Sequence, residues 1–320
     1  MLQFLLLLAI FVAGLVVLYY GAEATLHGAV SIAQRLGVSR LVIGLTLVAF
    51  GTSCPELSLD ISAALRGTTA LAFGDLVGSN IANIGLILAV GAIICPLKVR
   101  MRLLRAEVPI AIATSLVVLG LSMDGVISRQ DGIIMLAAFV LFVGYSYRAA
   151  RQESTEVKEE LRDAATEMTT KRSMVNLTAG LIGLVIGAQM MVYSAVEFAT
   201  LAGVSELLIG LTIVALGTSL PELATSVVAA RRGDADIVVG NVIGSNIFNL
   251  LLILAIVAVI APVPVQASSL RIDLPVMIAF VALLVPIMLR GMVISRWEGA
   301  ILLGGYSAFL AWQIYLALID

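Results

Sequence analysis

The chain has 320 residues, 61% of them hydrophobic and only 12% charged, with a formal net charge of −2. Polar surface is too scarce to cover a soluble globule of that size, which excludes a soluble enzyme or a nucleic-acid binder and requires an integral membrane protein. The small net charge has no bearing on orientation, which depends on where Lys and Arg lie.

Ten apolar stretches follow one another, at 3–33, 40–65, 69–94, 106–123, 131–148, 174–201, 207–230, 237–260, 272–289 and 297–318. Each approaches or exceeds the roughly 20 residues that carry a helix across a hydrocarbon core of about 30 Å. None alternates apolar and polar residues as the strands of a membrane barrel do. The predicted fold class is therefore an all-α integral membrane protein with ten transmembrane helices. The first stretch lacks the basic flank of a signal peptide, since only Leu2 and Gln3 follow Met1, and it is read as mature structure. Cys54 and Cys95 fall inside apolar stretches and suggest neither a disulfide framework nor a metal motif.

The one extended polar segment, Arg148 to Ser173, divides the stretches five and five. Its EVKEELRDA portion suits a short surface helix held by i,i+4 charge pairs, and it has no calcium-loop spacing of the DxDxDG type. With the N-terminus outside, the loops after spans 1, 3, 5, 7 and 9 hold 16 of the 19 basic residues, leaving only Arg66, Arg129 and Arg271 opposite. That asymmetry predicts both termini outside.

The chain also repeats itself. LVIGLTLVAFGTSCPEL at Leu41–Leu57 recurs as LLIGLTIVALGTSLPEL at Leu207–Leu223, and 13 of the 20 positions from Leu41 to Asp60 match those from Leu207 to Ser226. At the same displacement of 166 residues, GDLVGSNIAN at Gly74–Asn83 recurs as GNVIGSNIFN at Gly240–Asn249. An odd number of spans per half makes the copies enter the membrane in opposite senses. The predicted plan is two inverted five-helix repeats, 1–150 and 174–320, joined by a cytoplasmic connector at 151–173.

Each copy places one carboxylate, Glu56 or Glu222, in hydrocarbon, where a charge costs about 2.5–3.5 kcal/mol. No Lys or Arg lies in the predicted core of any span, which leaves protonation, polar neighbours or bound cations as compensation. Bound cations fit the surroundings best. Gly51 with Pro55, and Gly217 with Pro221, interrupt the helix, because proline cannot donate to the carbonyl four residues back. Freed carbonyls around Ala49–Thr52 and Ala215–Thr218 are costly against lipid but useful lining an ion cavity, and broken helices at matched places in inverted halves point to a transporter's midplane site. Thr52, Ser53, Thr218 and Ser219 add hydroxyl oxygens.

In the second element, Gly78 and Gly244 permit close helix approach. Ser79 and Asn83 share one helical face, as do Ser245 and Asn249, while Asn80 and Asn246 point about 100° away and suit helix-to-helix hydrogen bonds. If the halves meet at the centre, one pocket gathers two carboxylates, two amides, several hydroxyls and exposed carbonyls. Such an all-oxygen pocket of charge −2 suits a hard cation, Ca²⁺ above all, whereas zinc or copper would want His or Cys. A cation channel with an acidic ring is a rival reading, although broken helices in inverted halves favour a carrier. An intramembrane enzyme is more distant, because no HExxH motif or nucleophile–base pair is present.

These motifs and the duplicated ten-span plan resemble the sodium/calcium exchanger branch of the cation/calcium exchanger superfamily. The resemblance covers nearly the whole chain, with GTSxPE and GSNIxN as its two alpha repeats, and the GNxxE-type motif of the proton/calcium branch is missing. It implies a secondary antiporter, not an enzyme, that exchanges Na⁺ for Ca²⁺ by alternating access and needs no cofactor. A Ca²⁺/H⁺ antiporter on the same fold is the alternative. The short connector and the absence of regulatory domains suggest a prokaryotic plasma membrane, with the bilayer and the transported ions as partners and no obligate protein partner.

By the family pattern, Glu56 and Glu222 bridge a central calcium position with the carbonyls of Thr52 and Thr218, and Asn83 belongs to that position. Flanking sodium positions use Ala49, Ser53 and Ser79 on one side and Ala215, Ser219 and Ser245 on the other. Spans 1 and 6 slide across an eight-span core on faces smoothed by Gly14, Gly21, Gly180, Gly183 and Gly187. Prokaryotic relatives often carry Asp where this chain has Asn249. Because potassium-dependent relatives associate Asp there with potassium, Asn249 implies potassium-independent exchange and a two-acid pocket. Three Na⁺ would overfill that pocket by one charge, making exchange electrogenic.

Two acids break the internal symmetry: Asp60 stands opposite Ser226 and Asp75 opposite Asn241. Both are expected in the outward half, as an external cation vestibule, as a proton-titrating pair, or simply facing water in a wide mouth. Glu23, opposite Gln189, is expected to make a helix contact or line the access path, with a local hydrogen bond to His27.

Overall fold

The computed structural model describes residues 2–151, 168–204, 209, 212–213 and 215–319. Helix α1 spans Leu2–Leu36. Helices α2 (Arg40–Thr52) and α3 (Cys54–Leu65) follow, bent by 45° where they meet, then α4 (Thr69–Ile94) and α5 (Leu103–Leu121). Helix α6 is Arg129–Arg151, α7 Thr170–Leu201, α8 Ala215–Thr218 and α9 Leu220–Arg231. Helices α10 (Ala235–Ile260), α11 (Ser269–Leu289) and α12 (Arg296–Ile319) complete the chain. Among the described residues, eight helices are long and apolar enough to cross a membrane, or nine with the bent α2–α3 pair taken as one span. The stretch expected at 207–230 corresponds to α8 and α9. Much of its beginning, and the surface helix expected in the connector, lie outside the described residues.

Burial sorts these helices into centre and periphery. Of their most apolar stretches, α4 and α10 have 72% and 78% buried, against 22% for α1 and 17% for α12. Peripheral helices instead turn large apolar side chains outward, Leu5, Leu6, Val140, Leu141 and Ile301 among them, as a lipid solvent allows.

The loops carry four two-residue strands absent from the all-helical expectation. Strands β1 (Leu97–Lys98) and β4 (Val293–Ile294) pair antiparallel, as do β2 (Val126–Ile127) and β3 (Val263–Pro264). Leu97, Ile127, Val263 and Ile294 are all fully buried. A buried loop must satisfy its backbone, and here each half supplies the other's partner strand.

Other contacts sort the loops by face. Arg40 pairs with Asp234, and Arg100 Nε lies 2.6 Å from Asp236 Oδ2, on the face of β1 and β4. Thr69 Oγ1 donates to Pro262 O at 3.0 Å and Arg129 to Ile260 O at 3.1 Å, on the face of β2 and β3.

Helices α1 and α7 cross with their backbones nearly touching. A Cβ on Gly180 would stand 2.4 Å from Thr25 N, one on Gly28 would stand 2.5 Å from Leu177 N, and one on Gly187 would stand 2.6 Å from Leu18 N. Gly28 extends the glycine stripe beyond the positions expected from sequence. Ser31 and Ser173 hydroxyls meet at 2.7 Å at one end of the crossing, where Arg35 also donates to Thr170 Oγ1 at 2.9 Å. Replacing Gly180 with Val forces backbone apart from backbone and should lower the thermal unfolding midpoint of the detergent-solubilised protein, by about 1–3 kcal/mol of stability. Gly144→Ala, where the new methyl meets open space, should leave the midpoint unchanged or raise it.

Candidate functional site

The break between α2 and α3 falls at Ser53 (φ −83°, ψ 5°), and its repeat partner Ser219 (φ −87°, ψ 4°) separates α8 from α9 in the same conformation. Pro55 and Pro221 occupy the first turn of the helix after each break, where a missing N–H costs little. Their lack of a donor leaves the Gly51 and Gly217 carbonyls without the usual helical partner. Ala49 O, by contrast, accepts from Ser53 N at 3.0 Å and from Thr52 Oγ1 at 3.3 Å. The carbonyls released are thus fewer than the run expected from sequence.

A turn of π-helix precedes the first break, at Gly44–Val48, and two more begin at Asn83 and Asn249, at equivalent places in the two copies. A π-turn inserts one extra residue and re-aims the side chains around it, which is why such turns gather at functional sites. Gly244 meets the helix carrying the first break, with a Cβ there only 2.5 Å from Leu45 O. Nothing among the described residues stands within 4 Å of a Cβ on Gly78, whose repeat-equivalent neighbour Leu211 lies outside them.

The two halves meet through side chains. Ser53 Oγ donates to Glu222 Oε1 at 3.2 Å, and Thr52 Oγ1 to Asn241 Oδ1 at 3.2 Å. Asn241 in turn donates to Thr225 Oγ1 at 3.3 Å. Asn80 Nδ2 donates to Asn246 O at 3.2 Å and Asn246 Nδ2 to Asn80 O at 3.3 Å, a reciprocal bridge between α4 and α10. Asn83 Nδ2 donates to Asn246 Oδ1 at 2.9 Å, which leaves Asn83 Oδ1 as its free acceptor.

Ala49, Thr52, Ser53, Glu56, Ser79, Asn83, Ser219, Glu222, Ser245 and Asn249 are all buried. Many of their polar atoms nevertheless have no hydrogen-bond partner: Glu56 Oε2, Glu222 Oε2, Asn83 Oδ1, Asn249 Oδ1 and the hydroxyls of Ser79, Ser219 and Ser245. Glu56 is close enough to Glu222 to feel its charge. Thr218 is half-buried and already engaged in an interaction, and the side chain of Ala215 lies outside the described residues. Carboxylate, amide and hydroxyl oxygens are the ligand types that a hard cation takes.

Sequence reasoning missed Asn241 as the partner of Thr52; its signal was its place one turn before Ser245. One of the outer acids also differs from one expectation, while Asp75 is half-buried. Asp60 is only 1% exposed and neither of its carboxyl oxygens has a partner, so it does not face a water-filled mouth. Glu23 pairs with Arg232 and accepts from Tyr19 at 3.4 Å rather than bonding His27. It lines, with Tyr19, Tyr20, Ala24, His27 and Asn176, a cavity of about 480 Å³, so it is a helix contact and not part of the oxygen cluster.

Comparisons with known proteins agree with this geometry. The chain is 38% identical over 309 residues to the putative antiporter CaxA of Alkalimonas amylolytica, covering 95% of this chain and 96% of that one. It is 33% identical to the sodium/calcium exchanger MaX1 of Methanosarcina acetivorans, covering 96% and 98%. A solved structure of the sodium-calcium exchanger NCX_Mj superposes with a TM-score of 0.85 at 32% identity, covering 96% of this chain and 99% of that one. The model of the sodium/calcium exchanger protein family matches residues 6–148 and 172–315, both alpha repeats included, and the chain belongs to that family.

Proposed function

We propose that the protein is a secondary antiporter that exchanges Na⁺ for Ca²⁺ across a membrane by alternating access. The observation that carries this reading is the cluster of buried, donor-free oxygens around Glu56 and Glu222, at the meeting point of two copies of one motif. The cage consists of Glu56, Glu222, Thr52, Thr218, Asn83, Asn249, Ser79, Ser245, Ser53 and Ser219, with backbone oxygen from Ala215 and from Ala49, whose carbonyl turns to a cation by giving up the Thr52 hydroxyl. Its two carboxylates and neutral oxygens take one Ca²⁺ with full charge compensation, or Na⁺ ions in its place.

The architecture in this reading is ten transmembrane helices in two inverted repeats, 1–150 and 174–320, with 151–173 as connector. The exchange of partner strands between halves supports it, because β1 follows the third span of one half while its partner β4 follows the fourth span of the other. The pairing of Arg40 and Arg100 with Asp234 and Asp236 on the β1–β4 face supports a cytoplasmic side rich in basic residues, with both termini outside a prokaryotic plasma membrane. Helices α1 and α7 slide together across the remainder, and their backbone contact through glycine makes them one rigid body.

An empty cage of charge −2 crosses the closed state only at high cost, whereas a loaded one is neutral or nearly so, and this difference makes exchange obligatory. Asn249 in place of an acid leaves no charge for potassium.

Proteoliposomes loaded with Na⁺ and diluted into Na⁺-free medium should accumulate ⁴⁵Ca, and a pH gradient alone should not drive uptake. Uptake that follows the pH gradient and ignores Na⁺ sinks this reading in favour of proton antiport. Glu56→Gln and Glu222→Gln should each reduce Na⁺-driven uptake to the level of protein-free vesicles. If one net charge moves with the sodium ions, an interior-positive potential of 100 mV should raise the calcium ratio reached at equilibrium about 50-fold, read with a potassium–valinomycin clamp.

A further inference from the structure

Beside the two carboxylates of the cage stand two further acids, Asp60 and Asp75, that occur in only one half. Asp60 follows Glu56 by four residues on α3, and Asp75 precedes Ser79 by four on α4. Each is therefore one helical turn, about 6 Å, from a cage residue on the same helical face. Both displacements run toward the loop that joins α3 to α4.

Asp60 is 1% exposed with both carboxyl oxygens unpartnered, and Asp75 Oδ2 is buried and unpartnered as well. The two carboxylates interact with each other, and both act on Glu56. No three of these acids share one coordination shell among the described residues. The four are two pairs, stacked one turn apart.

Charge balance then matters. Ionised together, the four carboxylates would carry −4, of which a single Ca²⁺ in the cage offsets half. Among the described residues no Arg or Lys is bonded to Asp60 or Asp75, and both oxygens of Asp60 and Oδ2 of Asp75 accept from nothing. In the second half the corresponding places hold neutral Ser226 and Asn241, and Asn241 is satisfied by Thr52 and Thr225. Ser226, like Asp60, is buried with its side-chain oxygen unpartnered, so the two halves differ at these places in charge: the first half holds two acids where the second holds two neutral groups.

We infer that Asp60 and Asp75 form a second Ca²⁺ site, one turn outward of the cage on the approach from the α3–α4 loop, which holds calcium before it enters. Two carboxylates supply the −2 that one divalent ion neutralises, and carboxylate oxygens are its preferred ligands. Because the second half has no such pair, the approach from the opposite face lacks this step. The site therefore makes calcium capture stronger from one side of the membrane than from the other.

The inference takes the cage as given, and its test separates the two. Equilibrium ⁴⁵Ca binding to the purified full chain in Na⁺-free detergent buffer should show a second calcium ion per chain. Asp60→Ser with Asp75→Asn, the residues that fill these places in the other half, should remove one of the two and raise the external calcium KM of exchange about tenfold while Na⁺-driven exchange persists. Glu56→Gln with Glu222→Gln should abolish exchange yet keep one bound calcium ion, a measurement that holds even if the first double variant fails to fold. One calcium ion per chain in the unaltered protein, lost with the glutamates, overturns the inference and leaves the cage standing. Calcium binding and KM unchanged in the Asp60→Ser, Asp75→Asn variant, with only a shifted pH profile of exchange, overturns it in favour of a shared proton.

Discussion

The structure depends on a set of buried oxygens that have nothing to accept. An acceptor buried without a donor costs about 1–3 kcal/mol, and seven polar groups of the cage are in that condition. Their summed cost rivals the roughly 5–15 kcal/mol by which a whole domain is stable. A membrane helix with ordinary structural duties would replace these groups with Leu or Val at no loss. Their retention in both copies is intelligible when a cation supplies what donors do not, and the breaks at Ser53 and Ser219 and the π-turns at Asn83 and Asn249 are the means by which the backbone aims them inward.

The polar contacts that do exist hold the cage residues in place without satisfying them. Asn246 is the clearest case: its backbone and side chain together engage Asn80 and Asn83, fixing α4 against α10 and turning the remaining oxygen of Asn83 loose. The same division of labour applies to Thr52, whose single hydroxyl proton has Asn241 Oδ1 and carbonyls of its own helix as competing acceptors. What Thr52 can offer a cation is its backbone carbonyl. Glycine completes the packing, since Gly244 brings α10 against the backbone of α2 at a distance no side chain permits.

Much of this was legible in the chain, for physical reasons that can be named. Span positions follow from apolar length, and the break follows from Pro55 and Pro221, so the helices and the location of the candidate site could be placed before any coordinates. The duplication gave the second half almost free. Helix start points were less legible: α5 begins at Leu103, ahead of the expected 106, because Arg102 and Glu107 pair at 2.8 Å and carry charge into the first turn. The short strands escaped notice because two-residue pairings across halves leave no periodicity. Asn241 escaped because a buried amide looks the same in sequence whether it lines a cage or holds its neighbour, and only Thr52 and Thr225 decide between them. Asp60 and Asp75 stood out as departures from the repeat, but their burial depends on how α3 packs on α4, which the repeat does not encode.

The two copies of one sequence do not make identical contacts. Ser53 donates to Glu222, while Ser219, its counterpart, has no partner. Asn83 donates to Asn246 Oδ1, while Asn80 Oδ1, which would complete the mirror bond, is unpartnered. Both differences run the same way, with the first half bonded to the second and the reciprocal bond open. Exchanging the roles of the two halves would give a second arrangement, and each hydrogen bond formed on one side only is worth about 1 kcal/mol of preference between them. A carrier that alternates needs this kind of balance, since a difference of a few kcal/mol keeps the minor state populated. On the inverted plan proposed above, the duplication would supply more than two sets of ligands: the alternative arrangement would differ from this one by a handful of bonds, which a change of ion in the cage could reverse.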